Sequence, residues 1–403
     1  MISRREFLKS GAAAASYLAS DAWSARAANA PGITDAEIKF GQTMPYSGPL
    51  SPYGLIGRTE AAYFKMINNM GGINGRRLNF MSLDDGYSPP KTVEQIRRLV
   101  EEEHVAFIFQ SFGGATNQAV MPYLNDNKIP QLFAVGGADM FVDPSRFPWS
   151  IGLNPAIVTE AHLITKHIIA TNPAAKIGLL LQNDPLGKNF LNGIREQLGP
   201  EHAGMLISSV SYEVSDPTVN SQIIALQGAG IDTLLILATS KAAAQAIRKS
   251  SELGWTPERY LFSGATGISS TLKAAGLDNS KGLIAATYFK DPVDPRWKDD
   301  PGYREFSAFA EKYLSSTERA SVISSYGFDA AILMVQVLKQ CGDDLSHENI
   351  MRQATNIKDF VLPMKLPGVK VNTSKDNYYP IRQMQFERFN GETWELFGDL
   401  MND

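Results

Sequence analysis

The chain has a single cysteine, Cys341, so no internal disulfide can form. Its place in the apolar run AAILMVQVLKQC marks a buried structural thiol rather than a nucleophile. Histidine is scarce, and the five present form no metal motif. His162 and His167 are five residues apart, off the i, i+4 spacing that puts two ligands on one helix face, and His104, His202 and His347 are scattered. Basic charge is not in excess: 38 Lys and Arg stand against 42 Asp and Glu, with no basic run beyond pairs such as Arg76–Arg77 and Arg97–Arg98. That excludes the basic face which long-range attraction to nucleic-acid phosphates requires. Catalytic signatures are missing too. S-F-G-G-A at 111–115 is not G-x-S-x-G, and GGINGRR at 71–77 fits neither a P-loop nor G-x-G-x-x-G and reads as a turn. Asp84–Asp85 follows a strand pattern and reads as a solvated or capping pair. No cofactor, no metal and no enzymatic activity are expected. Past the N-terminus, no stretch approaches the roughly 20 apolar residues that spanning a bilayer of about 30 Å requires, so no membrane insertion is expected.

The N-terminus carries a distinct signal. Ser3 to Lys9 spell S-R-R-x-F-L-K ahead of a mild Gly/Ala stretch from Gly11 to Ala19. Paired arginines, Phe-Leu and a weakly apolar run together make the twin-arginine (Tat) export pattern. Ala25 and Ala27 form an A-x-A site, whereas Ala28 and Ala30 would put Pro31 directly after the cut, so residues 1–27 are read as a cleaved signal of a protein exported to the periplasm. Removing them takes away four basic and two acidic side chains. That leaves 34 against 40, a net charge near −6, on 376 residues. A chain of that length exceeds what one core serves, and two domains are expected.

Strand-like and helix-like patterns then alternate. IKFGQTM (38–44) reads as a strand, the segment after Gly57 to Asn69 as a helix, and LNFMSLDD as the next strand. Ser88 caps a helix opened by Pro89 and Pro90, VAFIFQ (105–110) is a strand, a helix starts near Thr116, and QLFAV is a strand. Asn154 reads as the cap of a long helix whose first residue is Pro155, after which IGLLLQ, MLISSVSY, DTLLILA and YLFS alternate with helices at 187–198, 218–228 and 241–253. Strands apolar throughout and separated by helices indicate parallel sheets covered on both faces, and two such units in tandem give two doubly wound α/β lobes. Helices at 302–314, 325–341 and 346–357 precede a Pro-rich stretch. The closing runs about Asn390–Gly391 (383–397) predict a β-hairpin with a type I′ turn.

Ligands of open α/β sheets bind at the carboxyl ends of strands. The loops there are 44–54, 110–117 and 134–140. Gly113 and Gly114 leave backbone N–H groups uncovered before a helix N-terminus, where an anion is favoured, or simply permit a tight turn.

The order of IKFGQTMPYSGPLSPYG, NNMGGINGRRLNF, DDGYSPPKTVEQIRRLVEE, IGLLLQNDPLGK, LPGVKVNTS and the closing hairpin resembles the leucine/isoleucine/valine-binding family of periplasmic binding proteins over essentially the whole mature chain. The resemblance implies a type I fold with three crossings between lobes, here 33–153 with 288–360 and 154–287 with 361–403. It implies a ligand caught by hinge closure and permease subunits of an ABC importer as partners. It also places ligand contacts at Tyr53 (an aromatic wall), Ser111, Gly113, Gly114 and Ala115 (carboxylate donors), Gly136 and Gly137, Asn154, Leu186, Thr239 and, where the family keeps the acid for an α-ammonium, Ala265 or Thr266. Amide donors survive in these loops and the acid does not. An unpartnered buried ammonium costs about 3–5 kcal/mol, so the resemblance points to an aromatic carboxylate of the hydroxycinnamate kind. A branched-chain or other hydrophobic amino acid is the alternative ligand, and a sensor for a partner receptor the alternative role.

Overall fold

Runs of β-branched and large apolar residues become the interior strands, and residues 29–402 are described in a computed structural model. The export signal read at residues 1–27 lies outside the described residues. Helices of eight or more residues are numbered below. The first half runs β1 (Glu37–Met44), α1 (Leu55–Asn69), β2 (Arg77–Asp84), α2 (Pro89–Arg97), β3 (Ile108–Phe109), α3 (Gly114–Asp126), β4 (Gln131–Ala134) and β5 (Ser150–Gly152). These strands make one parallel sheet in the order β2-β1-β3-β4-β5. The second half runs α4 (Ile157–Thr171), β6 (Ile177–Gln182), α5 (Pro185–His202), β7 (Leu206–Tyr212), α6 (Asn220–Gly228), β8 (Thr233–Leu237), α7 (Ser240–Glu252), β9 (Glu258–Leu261) and β10 (Ile284–Thr287). Then come α8 (Pro301–Tyr313), α9 (Val322–Cys341), α10 (His347–Ala354), β11 (Gln383–Phe389) and β12 (Trp394–Asn402). The second sheet is ordered β12-β11-β10-β9-β8-β6-β7, parallel except for its last two strands, which pair antiparallel.

The chain passes between the sheets three times: from β5 to α4, from β10 to α8, and from α10 to β11. Helices α8 and α9 return to the first sheet's helical layer. Phe309 and Phe328 meet Tyr63 of α1 at 5.7 and 5.4 Å between ring centroids. Gly327 of α9 lets the two helices touch, because a Cβ there would lie 2.8 Å from the Ile56 carbonyl oxygen. α9 corrects one expectation. It is twenty residues long and apolar enough by length and composition to cross a membrane, but it is mostly buried as the packing centre of the first lobe. Cys341 at its end is buried, and burial pushes its thiol up to about 12.

Other local readings are revised by specific contacts. The strand expected over 105–110 is regular only at 108–109, although the Ala106 and Gln110 N–H groups still donate to the Lys39 (2.8 Å) and Leu132 (3.0 Å) carbonyls on either side, and Gln110 turns to a left-handed φ of 51° at its end. Ser88 occupies the N-cap of α2 without a side-chain cap: Pro90 removes the N–H of the second helical position, and that of Lys91 at the third is not taken up by the serine. The hairpin forms, but Asn390 does not take the positive φ of a type I′ turn. Its Oδ1 instead accepts from the N–H groups of Glu392 (2.8 Å) and Thr393 (2.9 Å) in a four-residue loop. His162 lies 3.5 Å from Glu196, His167 Nδ1 lies 2.8 Å from the Tyr260 hydroxyl, and no group of three metal-ligating side chains occurs among the described residues.

Candidate functional site

The carboxyl ends of the two sheets face each other across a cavity of about 150 Å³. From the first lobe, the loop after β1 brings Tyr53, the loop after β2 brings Tyr87, the loop after β3 brings Phe112 to Gly114, and the loop after β4 brings Val135 to Gly137. From the second come Asp184 and Leu186 after β6, Leu237 to Thr239 after β8, and Phe262 to Gly264 after β9. Glu160 of α4, Tyr288 on the second crossing and Tyr326 of α9 complete the wall. Seven of the lining residues are aromatic, and a cavity of this volume accommodates a benzene-sized body.

Gly113 sits at φ 105°, and a side chain there would run into the Tyr87 ring. The chain turns at that point so that α3 starts at Gly114 on the cavity wall, with the unpaired N–H groups of its first turn at that end. Gly114 must also stay small, because a Cβ would come within 3.2 Å of Asp184 Oδ2 across the cleft. Two residues beside this loop, Gln110 (φ 51°) and Phe133 (φ 56°), are held left-handed, and the Gln110 amide donates to the Phe133 carbonyl. Strain of this kind persists only where surrounding contacts impose it.

Asn154 does not cap a helix. α4 starts at Ile157 with Ala156 as its N-cap. Asn154 Oδ1 accepts from the Gly136 N–H (3.1 Å) and the Tyr326 hydroxyl (3.0 Å), and its amide donates to the Tyr288 hydroxyl (2.9 Å). It thus ties the fourth loop to two cavity-lining tyrosines from distant segments. Behind those rings lies Lys365, 5.1 and 5.2 Å from their centroids and 3.3 Å from Asp329, both members buried. Burial pulls the lysine down and the aspartate up, and their mutual attraction opposes both shifts.

Two carboxyl groups line the cavity. Glu160, 2 % exposed, accepts from the Ser263 N–H (2.8 Å) at one oxygen, and its other oxygen lies 2.7 Å from the Ser263 hydroxyl. Burial pushes it up to about 8, against the lowering effect of those two bonds. Asp184 caps α5 through the Gly187 N–H (3.0 Å) and accepts from Gln182 (2.8 Å) and the Tyr87 hydroxyl (3.4 Å). Burial raises it as well.

Of the residues expected to contact ligand, Tyr53, Gly113, Gly114, Gly136, Gly137, Asn154, Leu186 and Thr239 lie on this wall, and three do not. Ser111 is buried behind it, its hydroxyl accepting from Gln131 (2.9 Å). Ala115 is one residue further into α3 and off the wall. Thr266 folds its hydroxyl back onto the Ser263 carbonyl (3.0 Å) and receives the Trp394 indole N–H (2.9 Å) on its own carbonyl, so it faces a separate small polar pocket with Asp291 and Glu387. No acid stands at Ala265 or Thr266, but Glu160 and Asp184 enter the cleft from α4 and from the start of α5, which weakens the case drawn from the missing acid against an ammonium. Both left a trace in the sequence: Glu160 is the one acid of the apolar helix IVTEAHLITKHIIAT, and Asp184 precedes Pro185 as a helix cap. Tyr87, Phe112, Phe262, Tyr288 and Tyr326 had no local signal.

Two α/β lobes, three crossings and a cavity between the lobes define a type I periplasmic binding fold. The periplasmic binding protein family matches residues 37–393, and the chain belongs to that family. Sequence comparison with curated proteins finds no match. Among solved structures, a substrate-binding periplasmic protein from Ralstonia solanacearum is 22% identical, with 90% of this chain and 100% of that one covered and a TM-score of 0.78. A branched-chain amino acid ABC transporter protein from Thermus thermophilus with bound valine is 16% identical, covering 92% and 98%, with a TM-score of 0.82. An ABC-transporter solute-binding protein from R. palustris in complex with benzoate is 18% identical, covering 91% and 98%, with a TM-score of 0.76.

Proposed function

We propose that this protein is the exported solute-binding component of an ABC importer, which captures a small aromatic carboxylate between lobes 33–153 with 288–360 and 154–287 with 361–403. The carrying observation is the cavity between the lobes, walled by aromatic rings, with the start of α3 on its wall. An aromatic body burying about 150 Å² contributes several kcal/mol at about 25 cal/mol per Å². Each charge-assisted bond from an amide to a carboxylate adds roughly 1.5–3 kcal/mol. With two such bonds the gross gain is about 7–10 kcal/mol, of the same order as the about −8 kcal/mol of micromolar binding before association costs are subtracted. The matched relatives with benzoate and with valine bracket the choice of ligand. A hydrophobic amino acid is the second reading, favoured by the carboxyl groups of Glu160 and Asp184 on the wall.

A thermal-shift and calorimetric ranking of benzoate, cinnamate, leucine and valine tests this. An aromatic acid is expected to lead, stabilising by about 2.7 kcal/mol at a hundredfold excess over Kd, with no turnover of the ligand. Leucine bound at micromolar concentration while aromatic acids are ignored would transfer the assignment to the second reading. Export by the Tat route predicts that lysines in place of Arg4 and Arg5 hold the precursor in the cytoplasm. Undiminished accumulation outside it would count against that route.

A further inference from the structure

We propose that Glu160 and Ser263 form a specificity-determining pair on the second lobe's wall that receives an uncharged hydroxyl group carried by the ligand. The inference rests on the aromatic-carboxylate reading and adds where the ring's substituent is read. Both residues line the cavity, and the polar contacts of the Glu160 carboxyl group are to Ser263. The oxygen that takes the Ser263 N–H at 2.8 Å must act as an acceptor, so any proton sits on the oxygen 2.7 Å from the serine hydroxyl. Burial holds that proton in place at neutral pH. Carboxyl and hydroxyl then share one hydrogen bond, and whichever donates, the pair keeps one O–H donor and at least one lone pair for the cavity. A ligand hydroxyl, itself donor and acceptor, satisfies both. An ammonium has donors only and must first strip the proton. A second carboxylate meets no cation here: Phe262 and Tyr288 flank the pair, and Lys365 stands behind the tyrosine rings against Asp329. Sites built to pair a buried hydroxyl discriminate strongly against the analogue that lacks it, because their own polar groups are then left unpaired.

Calorimetry on the mature protein with benzoate, 3-hydroxybenzoate, 4-hydroxybenzoate and leucine tests this. One hydroxybenzoate isomer is expected to bind about tenfold tighter than benzoate, the worth of one well-made buried hydrogen bond. Glu160→Gln keeps an acceptor for the Ser263 N–H and a donor beside its hydroxyl, so the preference should survive within about threefold. Ser263→Ala and Glu160→Leu should bring the ratio of hydroxybenzoate to benzoate affinity to about one whatever they do to benzoate itself, and Ser263→Ala decides the matter if Glu160→Leu does not fold. Equal binding of benzoate and both isomers by the unaltered protein would overturn this inference and leave the carboxylate reading standing. So would a preference untouched by Ser263→Ala. Leucine binding that vanishes in Glu160→Gln would make Glu160 an ammonium partner and overturn both, and failure of all three aromatic acids to bind would do the same.

Discussion

Glu160 is a carboxyl group whose charge the fold withholds, and that gives stability a defined pH dependence. Its ordinary value of 4.5 rises to about 8 on burial. Below 4.5 the folded and unfolded chains are both protonated there, and the group contributes no difference. Between 4.5 and 8 the unfolded chain releases the proton while the folded chain keeps it, so stability falls as pH rises, by roughly 4–5 kcal/mol at pH 8. Glu160→Gln removes this loss. Urea unfolding is therefore expected to show the variant gaining on the unaltered protein from pH 5 to pH 8, with Glu60 and Glu387, also raised by burial, cancelling in the comparison. Parallel stability curves across that range would show that Glu160 is ionised in the folded protein.

At the scale of elements, the α1–α9 crossing depends on Gly327. A methyl group there meets the Ile56 carbonyl oxygen at 2.8 Å and its Cα at 3.2 Å, both backbone atoms that cannot swing aside. Alanine gains about 1 kcal/mol in helix propensity. Overpacking costs typically 1–3 kcal/mol. Gly327→Ala should therefore lower stability by about 1 kcal/mol in chemical denaturation, whereas a rise would mean that the helices separate freely. Periodicity made α1, α5, α7 and the strands of the second sheet readable, since apolar spacing records a local fact: which face each element buries. Where a residue's partner is remote, the sequence was silent. Asn154 looks like a cap because Pro155 follows it, but its bonds go to Tyr288 and Tyr326, more than a hundred residues away. Thr266 could be placed by the family pattern, yet Trp394 from the closing hairpin holds its carbonyl outside the cleft. Gln110 ends β3 early through contacts with the neighbouring strand, which no local propensity encodes. Glu160 was legible as an odd acid in an apolar helix, and only the packing of α4 against the end of β9 shows where it points.

For the whole molecule, several hydrogen bonds join the lobes, among them Asp139–Asn189 and Ser269–Ala320 away from the cavity centre, and two of these contact points, at Tyr53 and Tyr87, lie on the cavity wall. The Tyr53 hydroxyl accepts from the Ser240 N–H and lies within 3.2 Å of the Ser240 hydroxyl, while the Tyr87 hydroxyl reaches Asp184 (3.4 Å) and receives the Gln182 amide (3.2 Å). Each latch joins a first-lobe loop to the start of a second-lobe helix or the end of a second-lobe strand, so opening must break both. Closure of the lobes on a ligand, which the proposed capture requires, would be a population shift. A ligand that contacts both lobes favours the closed form by its differential affinity, and latches add to that form without touching the open one. At a net 0.5–1.5 kcal/mol per hydrogen bond, losing these four contacts by replacing both tyrosines with phenylalanine should cost the closed state about 2–6 kcal/mol while leaving the rings on the wall. If the ligand-free protein is mainly open in solution, apparent affinity should fall roughly 30-fold or more, chiefly through faster release. Small-angle scattering of the unaltered protein should show a smaller radius of gyration at ligand saturation, and the double variant should need more ligand to reach the same radius. A radius that does not change at saturation would remove the hinge from the mechanism, and a double variant with unaltered affinity would assign closure to the ligand alone.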